Sequence, residues 1–357
     1  MVKGMMEMDI FEQKRILVTG GTGSLGKTIV RHLLSGRLGV PKQIIVFSRD
    51  EAKQHMMRQH YLQKKEATED IASQNSRQLL AFKIGDVRDI HSVSASLRNA
   101  DVVFNAAALK QVPNCEYFPF EAVQTNIVGA ENIVRAIREN NLDVETVVGV
   151  STDKACKPVN VMGMTKAIQE RVLISANLDC PRTRFICVRY GNVLASRGSV
   201  IPFFREQIKS GGPVTITDPD MTRFLLTLEQ AVETIFGAVA DAKRGETFIP
   251  KVKSTKVTDV ADVLIGNRPV KKVVTGVRPG EKVHEILVSE EEAHRTYSRG
   301  KFLAIQAILP EITGATVRGK ALEKEYCSAD HVMTRKELER LLRSNKLMVE
   351  DGSVEAD

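Results

Sequence analysis

Short apolar runs and amphipathic stretches alternate along the first half of this chain. Arg15–Thr19 (RILVT), Gln43–Phe47 (QIIVF), Leu79–Ile84, Asp101–Phe104, the β-branched run beginning at Val147, and Phe185–Arg189 read as strands. They are nearly continuous in Val, Ile, Leu and Phe between polar or glycine-bearing segments, as strands buried on both faces are. Between them, Thr28–Leu34 (TIVRHLL), Glu51–Lys65, about Glu121–Glu139 and Asn160–Asn177 read as helices. This order predicts an α/β fold with a doubly wound parallel sheet. A polar connector, EATEDIASQNSRQ (66–78), reads as a surface loop, LLTLEQAVETIFGAVADA (225–242) as a packed helix and ETFIPK (246–251) as a short strand. We divide the chain into a ligand-binding domain over 1–190 and a smaller lobe over 191–357, with parts of 214–260 returning to the sheet.

Composition narrows the function classes. A hydrophobic content of 43% and a charged content of 27% over 357 residues are those of an ordinary globular protein. No apolar run is long enough to span a membrane, and Met1–Gln13 is too polar for a signal peptide. The net charge is +7, but acids are mixed with bases throughout and aromatics are 5%, so a nucleic-acid surface is disfavoured. Five scattered cysteines, with no CxxC and no histidine at ligand spacing, predict reduced thiols, no metal site and a cytoplasmic location.

Chemistry concentrates at the strand ends. GGTGSLG (Gly20–Gly26) follows the first strand at Thr19 and opens into a helix. Its glycines at 20, 23 and 26 allow a tight turn, close approach of a pyrophosphate and packing of helix on strand, and the helix N-terminus, with Ser24 and Leu25, offers N–H donors. After the second strand, Ser48, Arg49 and Lys53 offer a hydroxyl and two cations where a ribose is selected. An acid there selects the 2′-hydroxyl of NAD and an arginine the 2′-phosphate of NADP; Arg49 and Asp50 are adjacent, and the balance of charge favours NADP. Asp86 and Val87 are placed for the adenine edge, Ala106, Ala107 and Ala108 leave room for a ligand against the backbone, and Lys110 and Asn126 follow. The densest cluster is Thr152, Asp153 and Lys154, with Met162 and Lys166 close behind.

TGGTGSLG, GDVRD, NAAALKQVP, STDKACKPVNVMGMTK, RYGNV, SRGSVIPFF, TDPDMTRF and RPGEK occur in this order. Together they resemble the extended short-chain dehydrogenase/reductase family, and within it the UDP-N-acetylglucosamine 4,6-dehydratases of surface-polysaccharide and nonulosonate biosynthesis. The resemblance covers about Lys14 to Val288, with the tail only loosely similar. It implies a Rossmann-type domain binding NADP, a lobe binding the sugar nucleotide, and a homo-oligomer assembled through the helix Asn160–Asn177. One departure stands out: the family's usual Tyr-x-x-x-Lys has Met162 in the tyrosine place, four residues before Lys166. A thioether exchanges no protons, though a subset of these dehydratases is similar in carrying Met there.

The implied reaction passes hydride from sugar C4 to NADP⁺, eliminates water across C5–C6 and returns the hydride to C6. By resemblance Asp153 is the acid at the 6-hydroxyl and Lys154 the base at C5. Thr152 bonds the 4-oxygen and Lys166 the nicotinamide ribose; Lys166 through water, or Asp153, takes the 4-hydroxyl proton. Lysine titrates ordinarily near 10.4, so Lys154 is expected to be depressed by burial, by Lys166 or by the nicotinamide charge. The resemblance also implies UDP and diphosphate contacts from Lys110, Asn192, Arg197, Val200, Arg223, Arg278 and Glu281. Two rivals remain: a sugar-nucleotide 4-epimerase, which on this fold normally uses the missing tyrosine, and a catalytically silent NADP-binding regulator.

Overall fold

The computed structural model describes residues 9–63, 79–194, 199–313 and 321–351. The connector at 66–78 and Arg197 lie outside the described residues. Six parallel strands are built from the runs read as strands: β1 (Arg15–Thr19), β2 (Gln43–Ser48), β3 (Leu80–Ile84), β4 (Val102–Asn105), β5 (Thr146–Val150) and β6 (Arg184–Val188). The second half contributes β7 (Asn192–Val193), β8 (Val214–Ile216), β9 (Thr222–Leu226), β10 (Thr247–Pro250), β11 (Ser254–Lys256), β12 (Lys272–Val274), β13 (Ile286–Val288), β14 (Thr296–Arg299), β15 (Phe302–Ile305) and β16 (Tyr326–Cys327).

The main sheet runs β14-β15-β10-β6-β5-β4-β1-β2-β3. Order reverses between β1 and β4, the kind of switch point at which open α/β sheets bind ligands. Successive residues of one strand feed opposite cores. Ile16 and Val18 pack with the helices Ser24–Leu34 and Leu228–Asp241, whereas Leu17 packs with Gly129–Glu139 and Val161–Asp179. Both faces are therefore covered, which explains the unbroken apolar runs.

Two features depart from the sequence expectation. The helix read at about 121–139 is helical throughout but not uniformly α: Pro119–Ala122 leads through a π-helical stretch, Val123–Val128, into Gly129–Glu139, and a separate short helix, Val112–Tyr117, precedes it. Proline is tolerated at a helix start but cannot continue a preceding helix, so Pro119 forces a restart. The sheet is also longer than expected. After β10 joins β6 in parallel, the hairpin β14–β15 adds two antiparallel strands at that edge.

The small sheets β11-β9-β7 and β8-β12 pack with the helices Val200–Lys209, Val257–Ile265 and Arg335–Ser344 around a separate core, while β13-β16 packs against β10 and β15 of the main sheet. Among the described residues no helix is long and apolar enough to cross a membrane.

Candidate active site

The ends of β1, β2, β3 and β4 border a cleft of about 480 Å³. Gly20, Gly23, Ser24, Leu25 and Gly26 form its floor, Ser48, Arg49 and Lys53 one rim, and Asp86, Val87, Ala106, Ala107, Ala108 and Lys110 the rest. A side chain at Gly26 would place Cβ 2.5 Å from the Gly20 carbonyl oxygen, so the helix starts against the turn only because this residue has none. That helix has no acid in its first turn, leaving its N–H groups and positive dipole end open to an anion. Ser48 is held by Gln54, whose amide donates to the Ser48 hydroxyl at 3.1 Å. Both rim cations have carboxylate neighbours: Arg49 lies 3.7 Å from Asp86 and Lys53 2.5 Å from Asp50. Such exposed pairs are worth little and yield readily to a phosphate. The residues present fit a dinucleotide.

Three residues read as cofactor contacts stand behind this wall. The Thr19 hydroxyl donates to Asn105 Oδ1 (3.0 Å) and accepts from the Ala107 N–H (3.2 Å), pinning the alanine run in place. Asn126 is buried; its Oδ1 accepts from Leu109 N (2.9 Å), and its Nδ2 donates to Leu109 O (3.0 Å) and to Thr165 (2.9 Å). Lys166 is buried too, its Nζ donating to Val150 O and to Gln169 Oε1, each at 2.5 Å. Burial pushes the Lys166 pKa down from 10.5 to about 8, against a smaller upward pull from Glu170.

Lys166 therefore makes stability rise with pH between about 8 and 10.5, since in that window the unfolded chain binds more protons than the folded one. Charging the buried amine costs most below pH 8 and nothing above 10.5. Urea unfolding of wild type and Lys166→Met at pH 7, 8, 9 and 10 should show a wild-type gain on the order of 1–3 kcal/mol that the variant lacks. Parallel curves would refute it.

β5 ends one strand along from the cleft. Ser151 N donates to Val188 O (2.7 Å) and Asp153 N to Tyr190 O (3.0 Å), so the strand's last bonds aim a single 3₁₀ turn, Asp153–Ala155, off the sheet edge. The Thr152 hydroxyl donates to Asp153 Oδ1 at 3.0 Å and accepts from Lys154 N. Asp153 is fully buried, and its second oxygen, Oδ2, has no hydrogen-bond partner among the described residues. Gly191 lies close to that oxygen: a Cβ there would be 3.3 Å from it and 2.5 Å from the Phe224 Cβ. Lys154 Nζ lies 3.0 Å from Asp153 Oδ1 and 3.3 Å from Glu285 Oε1, with a fifth of its side chain exposed.

Here the electrostatics overturn an expectation. Burial by itself would lower the Lys154 pKa, but Asp153 and Glu285 more than offset it, and the ammonium is held above its ordinary value. Arg223 pulls the other way, but more weakly than either carboxylate. The chain's own groups thus keep Lys154 protonated rather than preparing it as a free amine.

The long helix Val161–Asp179 backs this turn at close range. A Cβ at Gly163 would sit 2.2 Å from the Lys154 carbonyl oxygen, so only glycine permits the approach. Met162 is buried with Cys115 and Ala122, beside Leu109 and Val112, and serves as an apolar contact. Beneath lies a buried ion cluster. Arg189 donates to Glu170 (2.7 and 3.1 Å), Glu292 (2.8 and 3.2 Å) and Leu287 O (2.8 Å), while Ser151 donates to Glu170 at 2.5 Å. Burial would raise the Glu292 carboxyl, but Arg189 outweighs it and holds the pKa at about 2. This cluster ties β6 and the long helix to the second lobe.

From that lobe, Arg223 is nine-tenths buried and donates to the carbonyls of Thr222, Lys282 and Val283, so its guanidinium is committed to backbone. Arg278 is exposed and 3.8 Å from Glu281. Glu281 Oε2 and Asn192 Oδ1 are buried without hydrogen-bond partners among the described residues. Val200 begins the helix Val200–Lys209 and packs at the edge of the second core. Sequence reasoning missed Glu285, Gly163 and the Glu170–Arg189–Glu292 cluster. Gly163 lay within a motif already read, but nothing local to HEIL marks Glu285, because its partner is 131 residues away at Lys154.

Fold and cleft together define a Rossmann-type enzyme of the extended short-chain dehydrogenase/reductase class. Residues 16–307 match the family described as "Polysaccharide biosynthesis protein", and the chain belongs to that family. It is 43% identical over 299 residues to a UDP-N-acetylglucosamine 4,6-dehydratase (inverting) from Campylobacter jejuni, covering 83% of this chain and 84% of that one. It is 42% identical over 302 residues to a UDP-glucose 4-epimerase from Rickettsia prowazekii, with the same coverage. The X-ray structure of Pen from Bacillus thuringiensis superposes with a TM-score of 0.83 at 35% identity, covering 95% of this chain and 99% of that one.

Proposed function

We propose that this chain carries out the NADP-dependent 4,6-dehydration of UDP-N-acetylglucosamine to a UDP-4-keto-6-deoxy-N-acetylhexosamine, as a cytoplasmic homo-oligomer. The observation that carries this reading is the Thr152–Asp153–Lys154 turn: a buried carboxyl with one unpartnered oxygen beside an amine, at the sheet edge next to the dinucleotide cleft. Elimination of water needs an acid and a base acting on adjacent carbons, and this pair supplies both. The chemistry a bound nicotinamide supplies is hydride acceptance from C4 and its return to C6. The glycine-rich turn and helix N-terminus would hold the diphosphate, and Arg49 and Lys53 a 2′-phosphate. Asn192, Arg278 and Glu281 are the second-lobe groups we assign to the UDP-sugar, and Arg223 shapes that wall through the backbone it holds. Asp153, through Oδ2, takes the 4-hydroxyl proton and later delivers it to the departing 6-oxygen. The C. jejuni relative's name favours inversion at C5. Apolar side chains left exposed on the long helix (Met164, Ile168) and beside it (Phe118, Phe120) support association of copies.

A second reading, 4-epimerisation, is favoured by the Rickettsia relative, but it requires no acid at the 6-oxygen. Proton NMR of the purified protein with UDP-N-acetylglucosamine in deuterated water separates the two, run in parallel with NADP⁺ and NAD⁺. The dehydratase gives a new 6-deoxy methyl signal, stronger with NADP⁺. A shift of the H4 coupling without a methyl signal would mean an epimerase, and an unchanged sugar with dinucleotide bound would mean a silent binder.

A further inference from the structure

The proposed reaction needs Lys154 as a neutral amine, yet the folded chain holds it as an ammonium between two carboxylates. Asp153 is already assigned, since it must carry the proton for the departing water. The other carboxylate is Glu285, just before β13, 3.3 Å from Lys154 Nζ and 2% exposed. Its Oε2 is buried without a hydrogen-bond partner among the described residues. Its other cationic neighbour, Arg223, stands 3.9 Å away through Nε and spends its remaining donors on backbone carbonyls. Lys282 donates to Cys156 O (2.6 Å), and His284 Nδ1 is bonded to the Thr222 hydroxyl (2.9 Å). Glu285 is thus a buried carboxylate whose nearest charge is the one ammonium that must lose a proton.

We propose that Glu285 accepts the ammonium proton of Lys154 and so converts that lysine into the base that removes H5. This rests on the dehydratase reading. When C4 is oxidised, its hydroxyl proton goes to Asp153. Lys154 then passes a proton to Glu285, leaving an amine and a carboxylic acid. The amine takes H5, the C5–H electron pair forms the C5–C6 double bond, and the C6–O bond breaks to release water with the Asp153 proton. After hydride returns to C6, C5 takes a proton from water, and the hydroxide left behind is neutralised by the proton on Glu285. Lys154, now bearing the former H5, is again an ammonium between two carboxylates, so every proton is accounted for. Glu285 touches no substrate atom in this scheme; it is a positioning residue acting through Lys154.

The rival role for Glu285, simple neutralisation of Lys154, predicts the opposite behaviour in Glu285→Gln. Removing one carboxylate lowers the Lys154 pKa, which ¹⁵N NMR of the lysine ammonium reads in the protein without cofactor or sugar. If neutralisation were the whole role, the variant would eliminate water as fast as wild type, with its pH optimum moved toward acid. If Glu285 is the acceptor, methyl formation from UDP-N-acetylglucosamine with NADP⁺ falls at least about 100-fold at pH 7. It then climbs with pH as hydroxide deprotonates Lys154 directly, while the wild-type profile stays flat. Glu285→Asp, able to take a proton, should recover at least about a tenth of wild-type turnover, and thermal melting confirms that each variant is folded. Wild-type turnover retained in folded Glu285→Gln would overturn the inference alone. A flat pH profile in a slowed variant, or no recovery in a folded Glu285→Asp, would also overturn it. No methyl signal from wild type would overturn the dehydratase reading, and this inference with it.

Discussion

Lys154→Met should lower dehydration of UDP-N-acetylglucosamine by about 10³-fold or more, with dinucleotide affinity within about threefold of wild type. Methionine keeps most of the aliphatic stem and removes the only group on the turn able to take H5. The dinucleotide cleft is built from the ends of β1 to β4, none of which touches the Lys154 side chain, so binding there should be spared. The variant leaves Asp153 and Glu285 buried without their shared ammonium, and some loss of stability is expected, because a buried charge stripped of its partner is costly. Calorimetric titration with NADP⁺, thermal melting and methyl formation together decide the matter. A folded variant turning over within tenfold of wild type would remove Lys154 from the chemistry, and loss of cofactor binding would make it a structural lysine.

A larger effect on stability is expected from the ion cluster below the site. Arg189→Met should cost about 3–5 kcal/mol, because it leaves Glu170 and Glu292 buried with no opposing guanidinium. The triple variant that also carries Glu170→Gln and Glu292→Gln should recover part of this, since the uncompensated charges are then gone. The pH dependence has a definite sign. Glu292 is depressed from 4.5 to about 2, so its contribution is present above pH 4.5 and is lost as pH falls toward 2. The gap between wild type and Arg189→Met, read from urea midpoints, should therefore narrow over that interval. A gap that stayed constant, or a single variant as stable as wild type, would mean that the cluster ties the lobes through shape rather than charge.

Most of the sheet and the cofactor cleft were legible in the sequence because their signals are local. A strand buried on both faces shows itself as an apolar run, and a glycine-rich turn between strand and helix shows itself at fixed spacing. Ser48, Arg49, Asp86 and the alanines at 106–108 could be placed because each sits within four residues of the end of a readable strand. The β14–β15 hairpin was not legible: its strands are four residues each, and the pairing of β15 with β10 joins segments about fifty residues apart. The π-helical stretch Val123–Val128 was not legible either, since it changes the hydrogen-bond spacing inside a helix without ending it.

The Thr152–Asp153–Lys154 turn was visible as a cluster of reactive groups, and its place on the sheet edge followed from the strand before it. Its protonation state was not visible. That depends on Glu285, brought within 3.3 Å of Lys154 from the second lobe, and on the burial of both carboxylates. Likewise the bonds that Arg223, Asn126 and Thr19 make to neighbouring residues could not be read from their positions in the chain. By itself the sequence determined the strand order and along which edge the candidate residues stand, because strand periodicity and turn geometry are written locally. Only the tertiary structure decided which charges face one another, because charge interactions act through distances and burial that adjacency in the chain does not encode.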